Sequence, residues 1–217
     1  MTTRKQPAAD RARVLLIAGA VAAVVVIIGV AIAFGPGSDD GAGDVASGAG
    51  FGPVVVEGAA LPSFSSTSDD AAAGMLAPRI EGVDADGEPI TVGGGTDTQP
   101  TMVVFLAHWC PHCQRELPVI VELMASGDLD GLRVIAVLTG TSADRPNFPP
   151  QPWLVREGWT GEVLLDDEKT TAATDFGLSG YPYLVFLDAE GKVVARSSGE
   201  LPASDINALA DLARTGG

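Results

Sequence analysis

Apolar residues follow three rhythms along this chain. The first is an unbroken run: 14–34 holds 21 residues without a charge. At ~1.5 Å per residue in a helix it reaches roughly 30 Å, the thickness of a bilayer core. Arg4, Lys5, Arg11 and Arg13 precede the run, and Asp39, Asp40 and Asp44 follow it. Basic flanks stay cytoplasmic, so the pattern predicts a single-pass cell-membrane anchor with a basic cytoplasmic segment at 1–13 and the rest of the chain extracytoplasmic. The competing reading is a cleaved signal peptide, since Ala31-Ile32-Ala33 resembles a small-residue cleavage site. The run exceeds the usual ~7–15-residue apolar core of such peptides, which favours the anchor. Both readings export the domain.

The second rhythm is a set of short apolar runs between turn residues. Residues 35–52 are rich in Gly, Ala, Ser and Asp and predict a flexible linker. Residues 53–78 read as an irregular N-terminal extension, relieved only by the β-branched stretch 51–56. From Arg79 the pattern is regular. Runs at 80–83 and 89–92 flank Asp84-Ala85-Asp86-Gly87-Glu88 and predict a hairpin. Continuous runs at 101–107 and 132–138 predict strands buried on both faces. A short strand is expected at 162–165, and a second hairpin from 183–187 and 193–197 around Asp188-Ala189-Glu190-Gly191.

The third rhythm is helical. It predicts a helix at 111–125 with Pro111 in its first turn, a short one at 170–176 stopped by Gly177, and a last one at 202–214. Pro118 is expected to kink the first of these. Residues 139–161 read as irregular, with prolines at 146, 149, 150 and 152 and one short helix at 153–157. Strands with crossover helices come first and an antiparallel pair last, so the fold class is α/β, a mixed central sheet flanked by helices, over 79–217.

Composition narrows the function. Twenty-eight acidic residues against 13 basic ones give a formal net charge of -15, which argues against nucleic-acid binding. The chain has two cysteines and two histidines. All four fall in one hexapeptide, His108-Trp109-Cys110-Pro111-His112-Cys113, between a buried strand and a helix start. Two thiols at i and i+3 on a first helical turn can join as a redox disulfide. The helix N-terminus favours a thiolate on Cys110, and a thiolate is what attacks a disulfide sulfur. Cys110 is therefore the expected nucleophile and Cys113 the resolving thiol. An imidazole at His112 would stabilise the Cys110 thiolate and make the couple more oxidising. A structural disulfide across two intervening residues would stabilise weakly. His108 is expected to pack at the strand end rather than to react. A metal module needs more ligands than this cluster readily offers, and no metal or other cofactor is expected.

The segment Phe105-Leu106-Ala107-His108-Trp109-Cys110-Pro111-His112-Cys113-Gln114-Arg115-Glu116-Leu117-Pro118 resembles the thioredoxin superfamily, specifically its membrane-anchored TlpA/ResA-like group. Gly177-Leu178-Ser179-Gly180-Tyr181-Pro182 resembles the cis-proline loop of that superfamily. The resemblance implies a thioredoxin-like fold with an N-terminal hairpin extension, and a thiol–disulfide oxidoreductase acting on exported protein thiols and disulfides with a membrane redox partner. It implies that Pro182 is cis, that Trp109, Pro111, Tyr181 and Pro182 meet substrate, and that Glu116 moves protons during exchange. The acid that thioredoxin carries six residues before its first cysteine is Val104 here. The Pro-His dipeptide resembles DsbA-type oxidants, whereas the rest resembles the reductive TlpA-like proteins. Two alternatives stand beside the enzyme: an extracytoplasmic copper-binding module and a thiol peroxidase, although no PxxxTxxC pattern is present.

Overall fold

The computed structural model describes residues 50–96 and 98–217. The expected anchor at 14–34 and most of the linker lie outside them. Among the described residues, no helix is long and apolar enough to cross a membrane.

Five strands form the central sheet, in the order β6-β5-β4-β7-β8. They are β4 (Thr101–Leu106), β5 (Arg133–Leu138), β6 (Glu162–Leu165), β7 (Tyr183–Leu187) and β8 (Val193–Ser198). β4, β5 and β6 run parallel, with Val104 opposite Ala136 and Ala136 opposite Val163. β7 is antiparallel to β4, and β8 antiparallel to β7. A second sheet, β1-β2-β3, joins β1 (Val55–Glu57) to the expected hairpin of β2 (Arg79–Val83) and β3 (Pro89–Val92). The helices are α1 (Pro111–Ser126), α2 (Pro150–Arg156), α3 (Thr171–Asp175) and α4 (Ala203–Thr215).

Strand β4, apolar after Thr101, is buried along its whole length because it lies inside the sheet and both faces are covered. Side chains alternate between faces. Met102, Val104 and Leu106 join Leu117, Ile120 and Leu123 of α1 and Ile206, Ala210 and Ala213 of α4. Val103 and Phe105 face the other way, into a core with Ile80, Ile90, Val92, Ala172, Ala173 and Phe176. β5 and β7 divide in the same way, and no face is left to water.

α1 runs through Pro118 to Ser126. It ends at Gly127, whose φ of 85° is the left-handed cap that a residue without a side chain adopts at no steric cost. α2 starts three residues before the expected 153, because Pro150 and Pro152 both sit in its first turn. There a missing N–H forfeits no helical bond. The prolines that read as irregular coil thus open a helix.

The stretch between β1 and β2 has no regular structure but is built into the second core. Leu61 and Ala72 are buried. Leu61 N–H donates to Asp175 O and Phe64 N–H to Gly177 O. Arg196 of β8, buried at 1 % exposure, reaches Asp70 through Nε at 2.9 Å and also through Nη2. Its Nη1 donates to the carbonyls of Pro62 and Phe176.

Candidate active site

β4 ends at Leu106, and four residues later Cys110 stands as the N-cap of α1 in extended conformation. Its backbone N–H donates to Ala107 O at 2.9 Å. Pro111 occupies the first helical position, where its fixed φ suits the turn and its missing N–H costs nothing. Cys110 thus stands at the α1 N-terminus, with no hydrogen bond from the first-turn N–H groups to its side chain. Cys113, one turn on, is completely buried, whereas Cys110 keeps 7 % exposure. Both are free cysteines. Burial, reinforced by the neighbouring Cys110 and Glu116 side chains, pushes the Cys113 thiol far above its ordinary range. The pair is thus asymmetric, with Cys110 buried but keeping a small opening to solvent and Cys113 shut away.

The loop before β7 closes over the outer sulfur. The Tyr181–Pro182 bond is cis, as the resemblance implied, and Tyr181 O lies 4.0 Å from Cys110 Sγ. Tyr181 meets Trp109 edge to face at 6.0 Å. Trp109 is fixed by its Nε1–H, which donates to Gly140 O at 2.8 Å, and the Arg145 guanidinium covers its ring at 5.3 Å. Gly140 has φ 59°, and a Cβ there would stand 2.7 Å from the Tyr181 hydroxyl, so the approach of these two loops requires glycine.

Glu116 lies on the same helical face as Cys113 and is 2 % exposed. Its carboxylate accepts the Leu201 N–H, at 3.1 and 3.2 Å from the two oxygens. Burial raises its pKa to about 7, with the Leu201 N–H opposing the shift and the charge of Glu200 adding to it. Val104, the position that carries an acid in thioredoxin, is a plain core residue, so Glu116 is the acid nearest the pair along α1.

The two histidines part company. His108 is buried, with Nδ1–H donating to Pro146 O at 2.6 Å and Nε2 accepting the Ser142 N–H at 3.2 Å. Both nitrogens are committed to the neutral ring, and burial lowers its pKa. Its backbone carbonyl accepts from Gln114 and Asn147. His108 therefore pins the proline-bearing loop to the end of β4. His112 is exposed, and its Nδ1 lies 2.5 Å from Glu200 Oε1. Arg115 grips the same carboxylate through Nε and Nη2. Arg115 first, and His112 second, draw the Glu200 pKa down to about 2. Glu200 follows β8, 88 residues from His112 in sequence, and no motif in the chain marks it.

A family profile described as Redoxin matches residues 57–212, most of the chain and both sheets from the end of β1 onward. The chain belongs to the redoxin family. Within the thioredoxin superfamily this redoxin is of the TlpA/ResA-like kind. It is 32% identical over 116 residues to the methylamine utilization protein MauD of Methylophilus methylotrophus, covering 51% of this chain and 48% of that protein. It is 27% identical over 104 residues to a thiol:disulfide interchange protein DsbE homolog of Paracoccus denitrificans, covering 48% and 53%. The redoxin chain spans about half the length of the curated relatives it matches. Its fold is that of a thioredoxin-family thiol:disulfide interchange protein from Chlorobium tepidum, with a TM-score of 0.52, 23% identity and coverage of 67% and 98%.

Proposed function

We propose that the protein is a membrane-tethered, extracytoplasmic thiol–disulfide oxidoreductase that exchanges disulfides with exported proteins through Cys110 and Cys113. The observation that carries this reading is the asymmetry of the pair. Cys110 stands at a helix N-terminus under the Tyr181–Pro182 loop, and Cys113 is sealed behind it. The related interchange protein named above supports the same chemistry.

In the reducing direction the Cys110 thiolate attacks a sulfur of the client disulfide. A Cys110–client bond forms, the client S–S bond breaks, and the released client thiolate takes up a proton. Cys113 then gives up its own proton and attacks Cys110 Sγ. The Cys110–Cys113 bond forms, and the second client thiolate leaves and is protonated. Two electrons have passed to the client; the oxidising direction is the reverse. Because the Cys113 thiol is raised by burial, its proton needs an acceptor. Glu116, with a pKa about 7, is suited to receive it and return it. Trp109, Pro111, Tyr181 and Pro182 frame the outer sulfur and serve as the client-binding rim. Electrons are exchanged with a membrane redox partner.

A copper-binding module would recruit a histidine beside the two thiols. His108 has both ring nitrogens occupied, so it would have to break two hydrogen bonds to serve. The test is exchange between the full chain, purified in detergent, and a disulfide-bonded peptide. Cys110→Ser is expected to reduce turnover to background, and Cys113→Ser to trap the mixed disulfide. Retained turnover in Cys110→Ser would remove the proposed nucleophile.

A further inference from the structure

The Cys-Pro-His-Cys sequence and the rest of the resemblance pull the redox couple in opposite directions, and Glu200 sits where they meet. His112 and Arg115 lie three residues apart on the exposed side of the first turns of α1, next to Cys110 in sequence. Arg115 is within electrostatic reach of Cys110. When the disulfide is reduced, two electrons enter, Cys113 takes up a proton, and negative charge falls on Cys110 to the extent that its thiol ionises. Any positive charge beside it stabilises that product and raises the potential. In this structure neither side chain is free to act on Cys110 alone. Glu200 Oε1 takes His112 Nδ1 at 2.5 Å and Arg115 Nη2 at 2.6 Å, and Arg115 Nε bridges both oxygens at 3.1 Å. The same loop supplies the Leu201 N–H that holds Glu116. One turn after β8 therefore meets both polar arms of the pair.

We propose that Glu200 is a positioning residue for the Cys110–Cys113 couple: it ties His112 and Arg115 together on the exposed side of α1, offsets the Arg115 charge near Cys110, and keeps the couple more reducing than its dipeptide alone would make it. The inference rests on the exchange reading above. It concerns the potential rather than the fold, because an exposed ion cluster of this kind contributes little to stability.

The experiment is equilibration of the full chain with glutathione and glutathione disulfide, together with titration of the Cys110 thiolate by its ultraviolet absorbance. Glu200→Gln is expected to shift the exchange constant about tenfold toward the dithiol, ~30 mV for a two-electron couple. The Cys110 titration should move to lower pH in parallel. Glu200→Asp, which keeps the charge, should restore most of the wild-type value. In a His112→Ala/Arg115→Ala background the Glu200→Gln effect should shrink to less than about twofold. An unchanged constant in Glu200→Gln, or an undiminished effect in that background, overturns the proposal while leaving the exchange reading intact. A wild-type chain that forms no Cys110–Cys113 disulfide at any glutathione ratio sinks the exchange reading itself, before any variant is made.

Discussion

At the scale of single residues, Glu116 connects the chemistry to the energetics of folding. Its pKa is raised to about 7 because the carboxylate is buried, with one backbone N–H in partial compensation. The native state thus holds a proton there that the unfolded chain releases near the ordinary value, about 4.3. Between those two values the native state binds more protons, so stability falls as pH rises from about 4.3 through about 7. Glu116→Gln removes that slope. Urea unfolding at pH 5 and pH 8 should show the variant losing up to about 3 kcal/mol less than wild type over the interval. The same variant should slow exchange by about 10²-fold and erase a kinetic inflection near neutral pH. A wild-type inflection that survives Glu116→Gln would assign the proton transfer to another group. Little of this was legible beforehand. The spacing of Glu116 from Cys113 put both on one helical face, but it did not say whether that face was wet, and the helix-face reading served a solvated glutamate equally well. His112 shows the limit more sharply. Its neighbour Cys110 is given by the sequence, yet its partner Glu200 arrives from the far side of β8.

At the scale of elements, the segment before β2 behaves as part of the core although it forms no regular structure. Asp70 and Arg196 make the link. Burial alone would raise the Asp70 pKa, but hydrogen bonds from Arg196 and Ala72 and the charge of Arg196 reverse the shift and hold it below its ordinary value. With Arg196 fully buried and Asp70 nearly so, removing one partner strands a charge. Asp70→Ala should cost ~3–5 kcal/mol in denaturant unfolding, whereas replacing both residues by apolar ones should cost much less. The wild-type contribution of the pair should be present above the ordinary aspartate value, about 3.9, and vanish as pH falls through the lowered native one. Equal losses in the single and double variants would show that the pair carries no such coupling. The strands and long helices lay open in the sequence because periodicity alone distinguishes them. The extension did not, since Leu61 and Ala72 sit in short alanine-containing runs without a strand or helix period, and only the core they reach explains their burial. The start of α2 was hidden for a different reason: proline is read as a breaker everywhere except in the first turn.

At the scale of the whole molecule, an acidic chain of the redoxin family is joined to an apolar, basic-flanked run at 14–34. The domain is proposed to work outside the cytoplasm on a short tether. Full chain expressed in cells should remain in the membrane fraction after an alkaline wash, and protease added outside should degrade its C-terminal domain. Recovery in the soluble fraction would sink the anchor. The C-terminal ends of β4 and β5 and the start of β7 converge on one edge of the central sheet, and the loops there carry Trp109–Cys110, Gly140 and Tyr181–Pro182. That is where α/β sheets place their sites, because loops leaving neighbouring strand ends can approach one another closely.

By itself the sequence determined whatever depends on residues close along the chain: the buried strands, the Cys110 helix start, the i, i+3 thiol pair and the acidic character. Those features follow from periodicity, helix-end electrostatics and local covalent reach. The tertiary structure alone decided which groups 70 to 130 residues apart would meet: Tyr181 over Cys110, Leu201 against Glu116, Glu200 on His112 and Asp70 on Arg196. Burial and charge pairing act through space, and the distances that set them exist only once the sheet has closed.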